Sequence, residues 1–325
     1  MSNIEMIRAA AERLDGFALR TPLLNSPFLD EIAGRRLFVK PECLQHTGSF
    51  KYRGARSAVS ALDPDTRAKG VLAFSSGNHA QGVARAAAEF GVPSVIIMPN
   101  DAPQLKIDNT RALGAEVILY DRPNGASREA LGDQIRDERG MTLIKPYDEP
   151  QVIAGQGTCG LEIAEQAQAL GVTEAEVLVC CGGGGFTSGI ALALESEAPD
   201  MRVRPVEPQG FDDVARSLKS GAVETNNQMS GNICDAILTP APGAITFPIL
   251  KRLIGPGLAV TEVEALRAMA LIFQRLKLVA EPGGAVAVAA ALFHADEIEG
   301  DAVICTISGG NVDAPMFARA LETKM

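Results

Sequence analysis

The sequence predicts an α/β fold with two parallel-sheet units, on three observations. Short apolar runs alternate with helical segments, polar glycine turns follow several of these runs, and the alternation forms two separate series. Such alternation implies parallel strands joined by crossover helices. In open sheets of this kind ligands sit beyond the carboxyl ends of the strands, where these turns lie.

The elements follow in order. MSNIEMIRAAAERLDGF at the N-terminus reads as an amphipathic helix of mixed charge, without the apolar core of a signal peptide. From residue 71, VLAF is a short strand, SSGN a turn, and HAQGVARAAAEFG an alanine-rich helix ending on Gly91. PSVIIMP and EVILY are further strands, separated by the helix APQLKIDNTRALGA. SREALGDQIRDERG is a helix and MTLIKP a strand. The second series runs through the strand EVLVC, the turn CGGGG, the helix FTSGIALALESE and the strand VRPVEP. TEVEALRAMALIFQRLKL and EPGGAVAVAAALFHAD are long helical segments, and AVICTISGGN is a last strand running into a glycine turn. We expect a small domain over 70–147, inserted in a large one made of 1–69 and 148–325. One cleft between them would collect the turns.

Composition narrows the function classes. The 325 residues are 46% hydrophobic and 22% charged, an ordinary globular balance. A net charge of −10 argues against nucleic acid as a partner. No apolar run approaches the ~20 residues of a membrane helix. The six cysteines lie in apolar or glycine-rich surroundings without zinc-ligand spacing, as expected of reduced thiols in a cytosolic protein.

Several motifs admit a chemical and a structural reading. In QHTGSFKYRGA, Lys51 sits between Phe50 and Tyr52; a desolvated amine becomes a nucleophile toward carbonyls, whereas a solvated one merely starts a helix. Gly182, Gly183, Gly184 and Gly185 lie between a strand and a helix, which suits a phosphate cradle or a flexible turn. Ser75, Ser76 and Asn78 of SSGNHAQG would bind a carboxylate at a helix N-terminus, or simply cap it. Glu207 and Asp213 flank the carbonyl of Phe211, a set of hard oxygens suited to Mg²⁺ or Ca²⁺; helix capping by Asp212 is the alternative. Ser308 stands in the glycine turn ISGGNV.

Taken together and in order, SFKYRGA, SSGNHAQG, VIAGQGT, the tetraglycine, EPGGA and SGGNVD resemble the fold-type II pyridoxal-phosphate enzymes, in particular the serine/threonine dehydratase and serine racemase branch. The resemblance spans about residues 5–320. It implies the tryptophan synthase β-like architecture, with the active site in the cleft between two domains. Lys51 would hold the cofactor aldehyde and then act as base at Cα. Phe50 would pack near the cofactor, Asn78 would bond its ring hydroxyl, Gly182–Gly185 would hold its phosphate, and Ser308 would face the pyridine nitrogen. Ser75, Ser76, Asn78 and His79 would bind the substrate α-carboxylate, with Ser76 placed as the second acid/base of a racemase. Glu207, Phe211 and Asp213 match a divalent-cation site, and a homodimer is the expected assembly.

A serine hydroxyl does not enforce protonation of the ring nitrogen, which favours expulsion of a β-hydroxyl. The implied reaction is dehydration of serine, threonine or 3-hydroxyaspartate to a 2-oxo acid and ammonia; an amino-acid racemase is the alternative on the same scaffold. This chain has Lys145-Pro146-Tyr147-Asp148 where many relatives have His-Pro, and Cys234-Asp235-Ala236 where many have Ala-Asp-Gly. Arg128 and Lys145 are candidates to bind a second substrate carboxylate, or are surface charge.

Overall fold

The computed structural model describes residues 2–75, 77–102, 104–121, 127–228 and 230–324, the side chain of Leu105 excepted. Among these residues the strands are β1 (Leu24–Asn25), β2 (Arg36–Pro41), β3 (Val71–Phe74), β4 (Ser94–Pro99), β5 (Glu116–Tyr120), β6 (Thr142–Leu143), β7 (Ala175–Cys180), β8 (Met201–Pro208), β9 (Leu258–Val260) and β10 (Ala302–Ile307). They form a six-stranded sheet in the order β1-β2-β10-β7-β8-β9 and a four-stranded sheet in the order β5-β4-β3-β6. All pairings are parallel except that of the two-residue edge strand β1 with β2. The small sheet is thus threaded between β2 and β7 of the large one.

The central strands are continuous apolar runs because helices cover both faces. β7 and β10 are buried at every residue. The helix Pro282–Phe293, apolar all round, packs against β7, β8 and β10 in the largest core cluster. On the other face the helix Gly185–Glu197 packs with the 20-residue helix Pro150–Ala169.

That long helix carries VIAGQGT, and its glycines have a packing reason. A Cβ on Gly155 would overlap the carbonyl of Arg53 and the side chain of Ser57. A Cβ on Gly157 would stand 2.8 Å from the carbonyl oxygen of Gly189, and one on Gly160 2.8 Å from Ala193 Cβ. The helix therefore touches the backbone of the Lys51–Ala61 helix on one side and that of the Gly185–Glu197 helix on the other.

A buried ion cluster fixes the same contact. Arg53 Nε donates to Glu42 Oε2 at 2.7 Å, and its Nη1 to Glu162 Oε1 at 2.6 Å. Lys40 Nζ donates to Glu162 Oε2 at 2.6 Å, and Thr21 Oγ1 to Glu42 Oε1 at 2.7 Å. Glu42, Arg53 and Lys40 are fully or almost fully buried. Burial alone would raise the Glu42 carboxyl, but Arg53 and Lys40 hold it below the usual range.

MTLIKP differs from its expected strand. Only Thr142–Leu143 pairs, because Pro146 has no N–H to offer a ladder and the segment turns toward Lys51. No helix of the described residues is long and apolar enough to cross a membrane. All six cysteines are free; Cys43 is half-buried and the others buried.

Removing Glu42 leaves a buried guanidinium partly uncompensated. Glu42→Ala should lower unfolding stability by about 3 kcal/mol in denaturant titrations at neutral pH. The folded chain binds the Glu42 proton less tightly than the unfolded chain does. Its contribution is therefore complete above a carboxylate's ordinary pKa of about 4.3 and disappears as the pH falls through its depressed folded value. Acidification should accordingly cost the parent more stability than Glu42→Gln.

Candidate active site

Lys51 opens the helix Lys51–Ala61 just after a left-handed turn at Thr47 (φ 60°) and Gly48 (φ 72°). This turn is joined to the loop after β10: Phe50 N donates to Ser308 O at 3.1 Å, and Gly310 N to Gly48 O at 2.9 Å. The Lys51 amine donates to Pro146 O at 3.0 Å and lies 4.9 Å from the centre of the Phe50 ring. Phe50 in turn stacks on Phe186 at 4.1 Å. Burial brings the Lys51 amine down to about 8, against a smaller upward pull from Glu281. Roughly a tenth of it is thus uncharged at pH 7, far more than of an ordinary lysine.

The tetraglycine joins β7 to the helix Gly185–Glu197. Gly184 has φ +88°, which side chains rarely adopt, and a Cβ on Gly183 would overlap the ring of Tyr147. The loop is held from behind: Thr246 Oγ1 donates to Gly183 O at 2.7 Å and Gly243 N to the same oxygen at 3.2 Å. Its free amides and the helix dipole face a narrow cavity, lined also by Lys51, Asn78, Ser308 and Thr187. The Thr187 hydroxyl is buried without a hydrogen-bond partner. A nucleophilic amine, an anion-binding helix N-terminus and an unpartnered hydroxyl around one cavity fit a phosphorylated aldehyde cofactor.

Asn78 starts the helix Asn78–Glu89 on the small-sheet side. Its Nδ2 donates to Glu281 Oε1 at 2.6 Å, and its Oδ1 accepts from Asn311 Nδ2 at 2.7 Å. Asn311 Nδ2 also donates to Thr47 O at 2.8 Å. Four motifs, HTGSF, SSGN, EPGG and SGGN, thereby meet in one network. Burial pushes the Glu281 carboxyl up to about 7, opposed by the Asn78 bond and helped by Asp235.

A cavity of ≈ 200 Å³ adjoins it, lined among others by Lys51, Ser75, Asn78 and His79. His79 Nε2 lies 2.8 Å from Ile144 O, and with the proton there the ring is neutral; burial, and then Lys51, push it down to about 3. The ring therefore offers a carboxylate no positive charge, whereas the backbone N–H groups at this helix start are free donors. Ser76 lies outside the described residues.

The remaining expected site residues are dispersed. Glu207, fully buried at the end of β8, accepts from Val214 N at 2.9 Å and Ala215 N at 2.8 Å. It caps the helix Asp213–Ser220, and Asp212 makes no side-chain cap. Asp213 Oδ1 accepts from Asn226 Nδ2 at 2.6 Å, while its Oδ2 is buried without a partner. Burial raises both carboxyls, Asp213 to about 6, and Asp213 itself adds to the rise at Glu207. Phe211 is buried. Two raised carboxyls and an unpartnered oxygen fit a proton or a hard cation, although no cluster of three or more His, Cys, Asp or Glu suited to a metal occurs among the described residues. Arg128 Nε donates to its neighbour Glu129 at 2.7 Å, and its side chain is 50% exposed. Neither Arg128 nor the exposed Lys145 lines the cavity at Lys51.

A family model described as pyridoxal-phosphate dependent enzyme matches residues 14–310. The chain belongs to the pyridoxal-phosphate-dependent enzymes. It is 41% identical to an L-threo-3-hydroxyaspartate ammonia-lyase of Pseudomonas sp, over 99% of both chains. It is 40% identical to an L-threonine ammonia-lyase of Thermotoga maritima, over 99% of this chain and 79% of that one. A crystal structure of serine racemase from Dictyostelium discoideum superimposes with a TM-score of 0.89 at 37% identity, covering 96% of this chain and 99% of that one.

Within this pyridoxal-phosphate-dependent enzyme, sequence reasoning missed Asn311, Glu281, Thr187 and Lys106, the last of which also lines the cavity at Lys51. EPGGA and SGGNVD flagged the first two segments without saying what the residues touch; Thr187 and Lys106 gave no signal beyond their type. The geometry of the loop predicts its sensitivity. Gly184→Ala, strained at φ +88°, should weaken pyridoxal-phosphate binding at least ~10-fold in absorbance titrations of the cofactor-free protein. Unchanged affinity would place the phosphate elsewhere.

Proposed function

We propose that this protein is a pyridoxal-phosphate-dependent ammonia-lyase that eliminates water from a hydroxy amino acid (serine, threonine or 3-hydroxyaspartate) and releases a 2-oxo acid and ammonia. The observation that carries the reading is the desolvated Lys51 amine beside the neutral Ser308 hydroxyl in one cavity. Near full-length similarity to two ammonia-lyases supports it. We propose residues 1–69 and 148–325 as the large domain and 70–147 as the small one, and a cytosolic homodimer as the working form.

When bound, the cofactor supplies an electron sink for the charge left at Cα by proton removal. Lys51 would hold the cofactor aldehyde and would serve as the base for the Cα proton. Gly182–Gly185 and Thr187 would bind the phosphate, Phe50 would bound one side, Asn78 would donate its second amide hydrogen to the ring hydroxyl, and Ser308 would face the ring nitrogen. Ser75, Asn78 and the amides of the helix start, His79 included, orient the α-carboxylate. Glu207, Asp213 and the Phe211 carbonyl would hold Mg²⁺ or Ca²⁺. A racemase reading rests on Ser76 as a second acid/base and on the likeness to serine racemases.

Three measurements test this. Borohydride should fix pyridoxal phosphate on Lys51 in peptide maps, and Lys51→Ala should abolish both the label and turnover. Serine, threonine and 3-hydroxyaspartate should be assayed for 2-oxo acid release and for the opposite enantiomer; an enantiomer excess over 2-oxo acid would favour the racemase. Ca²⁺ or Mg²⁺ should raise the melting temperature, and Glu207→Ala with Asp213→Ala should abolish the response. An equal response in the double variant would move the cation elsewhere.

A further inference from the structure

The ≈ 200 Å³ cavity at Lys51 has few cations in its wall. Among the described residues that line it, the side chains able to carry positive charge are Lys51, His79 and Lys106. His79 is neutral, as its burial and its contact with Ile144 require. Lys51 is committed to the cofactor. Lys106 remains, on the small-sheet helix Gln104–Ala112. Its Nζ reaches across the cleft to Asp235 Oδ2 at 3.0 Å, in the turn Asp235–Ile237 on the large-sheet side. The pair is not a locked one: the side chains are 28% and 63% exposed.

We propose that Lys106 binds the β-carboxylate of a dicarboxylic hydroxy amino acid, and that Asp235 occupies Lys106 until that substrate arrives. The proposal rests on the ammonia-lyase reading above and names the substrate within its class. Serine and threonine have no charge to place at this wall and leave the pair intact. 3-Hydroxyaspartate, with its α-carboxylate on the amides near Asn78, brings a second carboxylate into a cavity whose other acidic lining groups, Asp235 and Glu281, do not attract it. An unpaired carboxylate there would be costly, so a cation is needed. An exposed ion pair is weakly held, whereas a substrate carboxylate on the inner side of Lys106 is shielded from water and more strongly attracted. Exchange of Asp235 for the substrate therefore favours the dicarboxylate.

This arrangement makes the two partners act in opposite directions. In a latch that merely joins the two sheets, loss of either partner would have the same effect. In the exchange described here, Lys106→Gln removes the receptor and Asp235→Asn removes its competitor. In the holoenzyme, Lys106→Gln should lower the ratio of kcat/KM for 3-hydroxyaspartate to that for serine by about ten- to a hundredfold, the scale of one charged hydrogen bond. Lys106→Arg should restore part of it, and Asp235→Asn should raise it.

A second readout does not need turnover. Succinate should raise the melting temperature of the holoenzyme more than butyrate of the same length, Lys106→Gln should erase that difference, and Asp235→Asn should enlarge it. The proposal is overturned if Lys106→Gln and Asp235→Asn shift both readouts in the same direction. It is also overturned if Arg128→Ala, rather than Lys106→Gln, removes the dicarboxylate preference. Absence of 2-oxo acid from every hydroxy amino acid would sink the ammonia-lyase reading instead. The succinate measurement would then decide the Lys106 assignment alone: a difference erased by Lys106→Gln upholds it, and none in the parent overturns it.

Discussion

The contact on which the rest depends is that between Gly155 and the backbone of Arg53. It brings the helix Pro150–Ala169 against the helix that Lys51 opens, closer than any side chain would permit. Two residues later, Gly157 does the same toward Gly189 of the helix that follows the tetraglycine. Three helices are thereby stacked with their backbones in contact, and the lysine and the tetraglycine loop stand at the starts of the outer two. The ion cluster of Arg53 with Glu42 and Glu162 reinforces the stack where the lysine helix crosses the long one. A phosphorylated aldehyde has a fixed length between aldehyde and phosphate, so the spacing of these two helix starts is a condition for binding it at all.

Burial then sets the charge states of the site, and it acts on each group according to type. It lowers the amine of Lys51 to about 8 and the ring of His79 to about 3, and raises the carboxyl of Glu281 to about 7. Each shift favours the neutral form, as removal from water requires. At neutral pH the His79 ring is uncharged, Glu281 is about half ionised and Lys51 is still mostly protonated, so burial thins the charge of the cleft without abolishing it. Orientation falls to directed amides at the helix start and to single charges at the wall.

Much of this was legible in the sequence, for reasons that can be named. VLAF, PSVIIMP and EVLVC are buried on both faces and therefore read as apolar runs; EVILY is a half-exposed edge strand that is apolar all the same, and all four appear as strands. RLFVKP, now β2, carries Arg36 and Lys40 in a short run; Lys40 is buried only because Glu162 and Thr21 meet it from distant positions. β1 and β9 have two and three residues, too few for any periodicity. The helix Pro150–Ala169 contains three glycines, which oppose a helix by propensity; tertiary packing overrides that cost and is the reason the glycines are there. Lys51, the glycines and Ser308 stood out by residue type and position. The partnership of Lys106 with Asp235 joins positions 129 residues apart and leaves no trace in local pattern.

The network at Asn78 shows why amides stand where charges might be expected. Glu281 Oε1 accepts from the amide nitrogen of Asn78. That orientation turns the Asn78 oxygen toward Asn311, whose own nitrogen must donate and whose second hydrogen reaches Thr47 O. Each amide thus has its direction set by the one before it, and the chain ends on the left-handed turn that precedes Lys51. Asn78 keeps one N–H unused by this chain, directed by the same constraint. A charged residue in either place could propagate no such order: a lysine has no acceptor and a carboxylate no donor. It would also shift the amine of Lys51 through space. Neutral amides link Glu281 to Thr47 through directed hydrogen bonds without adding charge to the cleft.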